Sequence, residues 1–231
     1  MQPKLVIFDL DGTLIDGAQA CIPAMQHAFR TVNLPVPNAV QVKNMIGLSI
    51  TPAIYHILSS FNDIRHVSES EVEQIGDIYK DYFYQSRIAN KHQSPIYSGA
   101  LKCLAKLHAN PNILLSIATG KSRRGVNAFL DKYELNNLFS TSWCATECHS
   151  KPHPEMIDQA MNTLGIDAEN TIMVGDTEFD MQMAKNAKVH AIGVDWGYHS
   201  QELMLKSGAN QIVDNFEQLT LAIFERFKNA N

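Results

Sequence analysis

The sequence lacks three features that would each assign the protein to a special class. Its four cysteines (Cys21, Cys103, Cys144 and Cys148) do not have the spacing of a disulfide framework, so we expect reduced thiols and a cytoplasmic location. No apolar run approaches the length of a membrane span, and no signal peptide is expected. No basic block is present, and the net charge is −5. We therefore expect neither a nucleic-acid partner nor a membrane partner.

What the sequence does contain is typical of a globular protein. The chain has 231 residues, of which 45% are hydrophobic, so it can bury a sizeable core. This length allows either one larger domain or a core domain with a small insert.

The most informative stretch is the acidic turn Asp9-Leu10-Asp11-Gly12-Thr13, which directly follows the apolar run Leu5–Phe8. Such a run predicts a strand buried on both faces, as in a parallel sheet. Open α/β sheets bind ligands beyond the carboxyl ends of their strands, where these two carboxylates would lie. Two carboxylates this close repel each other unless a cation or a shared proton relieves them. A surface turn is the alternative, since Asp and Gly are common turn residues, but it has no use for two acids at the end of a buried strand.

Residues 16 to about 91 show helical patterns and no convincing strand. Apolar residues recur at helical spacing from Ala18 to Val32, and a second helix is predicted from Asn38 to Gly47. Thr51-Pro52 is interpreted as the cap and first turn of a third helix. Ser68 to Glu71 has capping-box spacing and opens a longer fourth helix.

Strands and helices alternate after Pro95, which predicts a mostly parallel sheet covered on both faces. We therefore predict an α/β fold with a Rossmann-like sheet core and an inserted all-helical cap. The core is assigned to 1–15 and 96–231, the cap to 16–95, and the hinges to 13–17 and about 92–99. The later strands are predicted at 113–118, 140–144, 171–174, 190–195 and near 211.

Three further polar loops follow elements of the predicted core. Thr119-Gly120-Lys121 ends the second strand, and Ser150 to Pro154 places Lys151 just before a helix. Gly175-Asp176 ends another strand, with Asp180 one helical turn later. Because the carboxyl ends of parallel strands meet at one edge, these loops are expected near the acidic turn.

Together, and in this order, the four loops resemble the motifs of the haloacid dehalogenase (HAD) superfamily of phosphatases. The resemblance covers residues 4–18 and roughly 98–200. The position of the helical insert resembles the helical-cap subgroup that includes phosphoglycolate phosphatases. This likeness implies an enzyme, a hydrolase of a small phosphorylated metabolite that works through an aspartyl-phosphate. We expect a monomer or a homodimer.

The resemblance also implies catalytic roles. Asp9 would be the nucleophile that attacks phosphorus. Asp11 would protonate the leaving alkoxide and then deprotonate the incoming water. Thr119 and the backbone amide of Gly120 would bind a phosphoryl oxygen, and Lys151 would neutralise Asp9 and the phosphoryl group.

A magnesium ion is the implied cofactor. Asp9, the backbone carbonyl of Asp11, and Asp176 would hold Mg²⁺ in such a protein. Asp180 would orient Lys151 or a metal-bound water. Gly47 falls where the cap loop of this subgroup faces the phosphate site, so it is the candidate for substrate contact.

Three alternatives remain open from the sequence. β-Phosphoglucomutases share this layout but usually carry Val or Ile where Thr13 stands, which favours hydrolysis here. Phosphonoacetaldehyde hydrolases need a cap lysine, for which Lys43 is the only candidate near the cap loop. A non-catalytic binding module on a decayed phosphatase fold is the third, and the intact set of acidic and basic residues argues against it.

Overall fold

The computed structural model describes residues 2–89 and 94–228, without the side chain of Arg87. The described chain contains a six-stranded sheet in the order β3-β2-β1-β4-β5-β6, and every neighbouring pair is parallel. The predicted fold class is thereby confirmed. The strands are β1 (Lys4–Phe8), β2 (Ile113–Thr119), β3 (Thr141–Cys144), β4 (Thr171–Gly175), β5 (His190–Val194) and β6 (Gln211–Val213).

The helices fall into an inserted group and a group that flanks the sheet. The inserted helices are α1 (Ala18–Thr31), α2 (Ala39–Lys43), α3 (Ile50–Ser59) and α4 (Glu69–Ile88). The flanking helices are α5 (Ala100–His108), α6 (Arg123–Lys132), α7 (Glu155–Leu164), α8 (Glu178–Asn186), α9 (Gln201–Ser207) and α10 (Phe216–Lys228). None of the helices in the described ranges has the length and apolar character needed to cross a bilayer.

Strand β1 lies at the centre of the sheet because both of its faces are apolar. Val6 and Phe8 pack into one buried cluster with α5, α6 and α10, while Leu5 and Ile7 pack into another with α7 and α8. Successive side chains of a strand point to opposite faces, so one short run serves both layers. The acidic turn therefore begins at the middle of the sheet edge.

The inserted helices have an apolar core of their own. It is built around Met25, Phe29, Ile54 and Ile75, and it is separate from the two clusters on the sheet. An insert that buries its own apolar surface can be held to the core through few connections.

The two connections between insert and sheet run side by side. The amide of Asp16 donates to the carbonyl of Pro95 at 2.9 Å, and the amide of Tyr97 donates to the carbonyl of Leu14 at 2.9 Å. The predicted boundaries of core and cap near these residues stay predictions. Part of the predicted second hinge, 92–99, lies outside the described residues.

Local predictions within the insert were partly right. The amide of Glu71 donates to the hydroxyl of Ser68 and the amide of Ser68 donates to the carboxylate of Glu71, so the capping box is confirmed. Helix α2 ends at Lys43 rather than running to Gly47, and α3 begins after Ser49. The prediction that Thr51 caps this helix is wrong, because Ser49 is the N-cap and Thr51-Pro52 lies inside the first turn, where proline is tolerated.

One helix of the core was missed by sequence analysis. Helix α9 spans seven residues, too few to show a helical repeat clearly. Its ends carry recognisable signals, because the hydroxyl of Ser200 accepts the amide of Leu203 and Gly208 follows in the left-handed conformation.

Candidate active site

The register of the sheet brings the acidic turn beside the end of β4. Phe8 pairs with Ile117 on one side and with Val174 on the other. The amide of Asp9 donates to the carbonyl of Val174 at 3.0 Å, so Asp9 lies level with the loop that carries Asp176. Both carboxylates are fully buried.

Lys151 is the cation at the centre of the site. Its Nζ lies 2.7 Å from Oδ1 of Asp9 and 2.7 Å from Oδ1 of Asp180, and its side chain is buried. Burial opposes the charged ammonium, but the carboxylates of Asp180 and Asp9 outweigh it and raise the pKa of Lys151 above its ordinary value. The loop before α7 therefore delivers a permanent positive charge to Asp9.

Asp180 has a second, structural contact at the start of α8. Its Oδ2 accepts hydrogen bonds from the amide and the hydroxyl of Thr177 at 3.1 and 2.6 Å, and the amide of Asp180 donates to the Thr177 hydroxyl at 3.3 Å, which completes a capping box. With Oδ1 on Lys151 and Oδ2 on Thr177, the Asp180 carboxylate is fixed in one orientation. The predicted contact between Asp180 and Lys151 is thus present.

Asp176 is held by two donors and a closely fitted backbone. The hydroxyl of Thr13 donates to its Oδ1 at 2.9 Å, and the amide of Tyr198 donates to its Oδ2 at 2.9 Å. Gly12 has φ of +89°, and a Cβ there would overlap the Asp176 carboxylate. Only glycine fits this turn, which explains its place in the acidic motif.

The buried carboxylates fit a divalent cation. One carboxylate oxygen from each of Asp9, Asp176 and Asp180 lies within 4.8 Å of the others. Oδ2 of Asp9 is buried and has no hydrogen-bond partner among the described residues. Carboxylate oxygens are the ligands that Mg²⁺ prefers, and a cation would relieve this group of three buried acids, of which Asp9 and Asp180 contact Lys151.

Burial and neighbouring carboxylates disfavour the charged forms of these acids and raise their pKa values. Burial raises the pKa of Asp9 to about 7, with Lys151 opposing the rise and Asp180 adding to it. Burial, together with the charges of Asp180 and Asp9, raises the pKa of Asp176 well above its usual range. The protein alone does not stabilise all of these negative charges.

Sequence analysis missed the partner of the second acid of the turn. Nζ of Lys121 lies 2.8 Å from Oδ2 of Asp11, and both side chains are largely buried. Burial opposes the charge on Lys121, but Asp11 outweighs it and raises the pKa of the ammonium. The signal was available, because Lys121 follows directly on the Thr119-Gly120 pair at the end of β2.

The remaining predicted residues lie where β2 meets the insert. Thr119 is buried at the end of β2, and its hydroxyl accepts the amide of Lys121 at 3.3 Å. A Cβ on Gly120 would lie 2.5 Å from the carbonyl oxygen of Gly47 and 2.6 Å from that of Leu48. The loop between α2 and α3, residues 44–49, which we call the cap loop, therefore contacts Gly120 directly, and Gly47 lines the cavity beside it.

Two side chains that sequence analysis left without a role join the insert to the core. Nδ1 of His199 accepts the amide of Glu178 at 3.1 Å, and its Nε2 lies 3.1 Å from the carbonyl oxygen of Asn44. Because Nδ1 accepts, Nε2 carries the proton and donates to Asn44. The amide of Ser49 donates to the hydroxyl of Ser150 at 2.9 Å, next to Lys151.

A family model described as haloacid dehalogenase-like hydrolase matches residues 6–194, which is most of the chain. The chain belongs to this family. A relative from Dickeya dadantii, named "Probable phosphatase IndB", is 34% identical over 95% of this chain and 92% of its own. A phosphoglycolate phosphatase from Agrobacterium fabrum is 28% identical over 96% and 93% of the two chains.

Solved structures of HAD-like proteins share the whole architecture. A crystal structure described as a predicted phosphatase from Clostridium acetobutylicum has a TM-score of 0.84 and 25% sequence identity, and covers 97% of this chain and 100% of its own. The likeness includes the helical insert as well as the sheet. The protein is accordingly a HAD-like phosphatase.

Proposed function

We propose that this phosphatase is a Mg²⁺-dependent phosphomonoester hydrolase that forms an aspartyl-phosphate on Asp9. The observation that carries the proposal is the buried carboxylate of Asp9, which has Lys151 on Oδ1 and a free Oδ2 among the described residues. Its substrate is a small phosphorylated metabolite. Phosphoglycolate is the reference compound, because some relatives are named for it.

The acidic cluster supports the proposed metal site. Asp9, the backbone carbonyl of Asp11, and Asp176 would hold Mg²⁺, with Asp180 beside them through its contact with Lys151. When bound, the ion supplies positive charge to the phosphoryl oxygens in addition to that of Lys151.

The first chemical step transfers the phosphoryl group to the protein. A carboxylate oxygen of Asp9 forms a bond to phosphorus while the bond to the leaving oxygen breaks. Asp11, which must enter this step protonated despite its contact with Lys121, gives that oxygen a proton. Lys151 stabilises the charge on Asp9 and on the transferred group. Thr119, at the end of the neighbouring strand β2, and the amide of Gly120 bind phosphoryl oxygens.

The second step hydrolyses the intermediate. Asp11, now deprotonated, takes a proton from a water molecule as its oxygen attacks phosphorus. The bond between Asp9 and phosphorus breaks, inorganic phosphate leaves, and both acids return to their starting states. The cap loop at Gly47 lies beside the proposed phosphate site, and it limits which groups can reach the phosphorus during this step.

The test is a phosphatase assay with para-nitrophenyl phosphate and Mg²⁺ on the wild type and on Asp9→Asn. The substitution keeps the shape but removes the nucleophile, so we expect kcat to fall by more than about 100-fold, or 2.7 kcal/mol. Asp11→Asn should slow turnover by roughly two to four orders of magnitude, the range for a lost acid or base. Rapid acid quench of the wild type should show protein carrying one phosphoryl group.

Other outcomes would redirect the proposal. If Asp9→Asn kept more than about a hundredth of the wild-type kcat, covalent catalysis at Asp9 would be wrong. A wild type that binds phosphate esters without turnover would support the binding module. A sugar 1-phosphate that yields its 6-phosphate isomer with little free phosphate would indicate a mutase. Light scattering checks whether the protein is a monomer or a homodimer.

A further inference from the structure

A cavity of about 560 Å³ lies between the inserted helices and the sheet edge that carries the acidic turn. In the described part of the chain, Asp11 borders this cavity but Asp9 and Asp176 do not. Asp11 is the group assigned to the proton of the leaving oxygen, so the cavity lies where the leaving group would be. We name it the leaving-group cavity.

The cavity exists although the insert is closed on the core. The amide of Ser49 bonds to Ser150 at 2.9 Å, and His199 bonds to the carbonyl of Asn44 at 3.1 Å. The cap loop is also in contact with Gly120, with no room for a Cβ between them. The volume is therefore a property of the closed site and does not come from a lifted cap.

The leaving-group cavity is too large for a two-carbon acid. Counting each of the roughly nine heavy atoms of phosphoglycolate as one water volume of about 30 Å³ gives about 270 Å³, phosphate included. Half of the cavity would stay unfilled by this generous count. Cavities of about 300 to 1,000 Å³ enclose ligands the size of drug molecules.

Apolar and aromatic side chains form the walls of the leaving-group cavity. The rings of Tyr79 and Phe83 on α4 are stacked with centroids 5.8 Å apart, and both border the space. The apolar part of the wall comes from α1 to α3 and their connections, and includes Met25, Val42, Met45, Ile46, Leu48 and Ile50. Such a surface favours an apolar ligand over a charged one.

The cations beside the cavity already have partners. Lys121 pairs with Asp11, and its Nζ lies 5.5 Å from the centroid of the Phe83 ring. The guanidinium of Arg124 stacks on the ring of Tyr84 at 3.5 Å. The third cation on the described wall, Lys80, bonds to Asp77 at 2.9 Å. A glycolate carboxylate would compete with Asp11 for Lys121, whereas an aromatic ring can add to the existing ring and cation contacts through stacking and cation–π attraction.

We infer that the physiological leaving group is an alcohol that carries an aromatic ring, and that Phe83 is a specificity-determining residue for it. The inference rests on the proposed hydrolase function, since it assigns the leaving-group side of that same site. The ring would lie between Phe83 and the apolar wall, with its phosphate end directed to Asp11.

The test compares phosphate esters that share one type of leaving oxygen. Ethyl phosphate, 2-phenylethyl phosphate and 2-cyclohexylethyl phosphate are all esters of primary alcohols, so differences in kcat/KM report contacts of the added group. We expect 2-phenylethyl phosphate to exceed ethyl phosphate and phosphoglycolate by about 10- to 200-fold, the range for filling an apolar pocket. It should exceed the cyclohexyl ester by roughly two- to tenfold through ring contacts.

A matched pair of variants assigns the effect to the cavity wall. Phe83→Ala should lower the ratio of kcat/KM for 2-phenylethyl phosphate to that for ethyl phosphate by about tenfold or more. Tyr82→Ala removes the adjacent ring of α4, which stacks on His27 and does not border the cavity, so the ratio should keep its wild-type value. Calorimetric titration should also show that 2-phenylethyl phosphate binds the Phe83→Ala protein more weakly than the wild type.

The outcomes separate the two proposals. If no ester is hydrolysed in the presence of Mg²⁺, the proposed function fails. If phosphoglycolate or ethyl phosphate is hydrolysed as fast as 2-phenylethyl phosphate, the hydrolase stands and the inferred leaving group is wrong. Equal or faster turnover of the cyclohexyl ester would overturn the aromatic assignment, as would an unchanged ratio in Phe83→Ala.

Discussion

Asp176 precedes α8 and Asp180 lies in its first turn, and both are fully buried, yet their contacts give them different roles. Within residues 2–89 and 94–228, the carboxylate of Asp176 receives hydrogen bonds only from uncharged donors, the hydroxyl of Thr13 and the amide of Tyr198. Asp180 faces the ammonium of Lys151 and caps α8. The negative charge of Asp176 therefore depends on an added cation more than that of Asp180 does.

This difference predicts separate effects on metal dependence. Asp176→Asn should raise the Mg²⁺ concentration for half-maximal rate by more than about 100-fold. Asp180→Asn should raise it less, because mutation of a residue that contacts a metal ligand lowers metal affinity by roughly 10- to 100-fold. Mg²⁺ titrations of activity supply one measurement. Thermal melts supply a second, because Mg²⁺ that binds the folded protein raises Tm, and this rise should disappear only in Asp176→Asn. Equal effects in both assays would mean that the roles are misassigned.

At the scale of helices, two serines occupy the same position with different contacts. Ser68 precedes α4 and exchanges hydrogen bonds with Glu71, while Ser49 precedes α3 and makes no capping bond with its side chain. A capping serine satisfies amides at the helix start that otherwise lack a partner.

The two serines thus provide a matched test of capping. Ser68→Ala should lower the free energy of unfolding by about 1 kcal/mol. That corresponds to a fall in Tm of about 2 to 4 °C for a chain of this size. Ser49→Ala should change stability little. Urea unfolding of both variants measures the difference, and similar losses would show that the Ser68 cap contributes nothing specific.

At the scale of the whole molecule, the inserted helices are closed on the sheet edge that carries the acidic turn. This contact requires that Gly120 has no side chain, because a Cβ there would overlap the carbonyl oxygens of Gly47 and Leu48. If turnover requires the acids and the cap loop together, as in the proposed mechanism, we expect a small displacement of the insert to lower it strongly.

Gly120→Ala should hold the insert slightly open while leaving the backbone amide in place. We expect kcat/KM to fall by about tenfold or more, together with faster limited proteolysis of the insert. Gly76→Ala is the control, because its Cβ would meet Ile50 and Ile54 at 3.4 and 3.8 Å, which are ordinary contacts. An unaffected Gly120→Ala enzyme would show that close contact at this point is not required.

Much of the architecture follows from the sequence alone. The apolar run before Asp9 predicted a strand buried on both faces, and the change from helical patterns to alternation after Pro95 predicted an inserted helical group and a parallel sheet. These signals are local, since they depend on the periodicity of apolar side chains and on the order of strands and helices along the chain. Short helices were predicted less well. The predicted second helix was longer than α2, and α9 was not predicted.

The sequence also determined which residue types meet at the sheet edge, since strand ends in a parallel sheet share one side. Only the tertiary structure decided their partners. The pairing of Lys121 with Asp11, the bridging of His199 to the insert, and the apolar cavity above Asp11 join residues far apart in the chain. Such contacts depend on how two separately packed groups of elements dock, and no local pattern of residues specifies that docking.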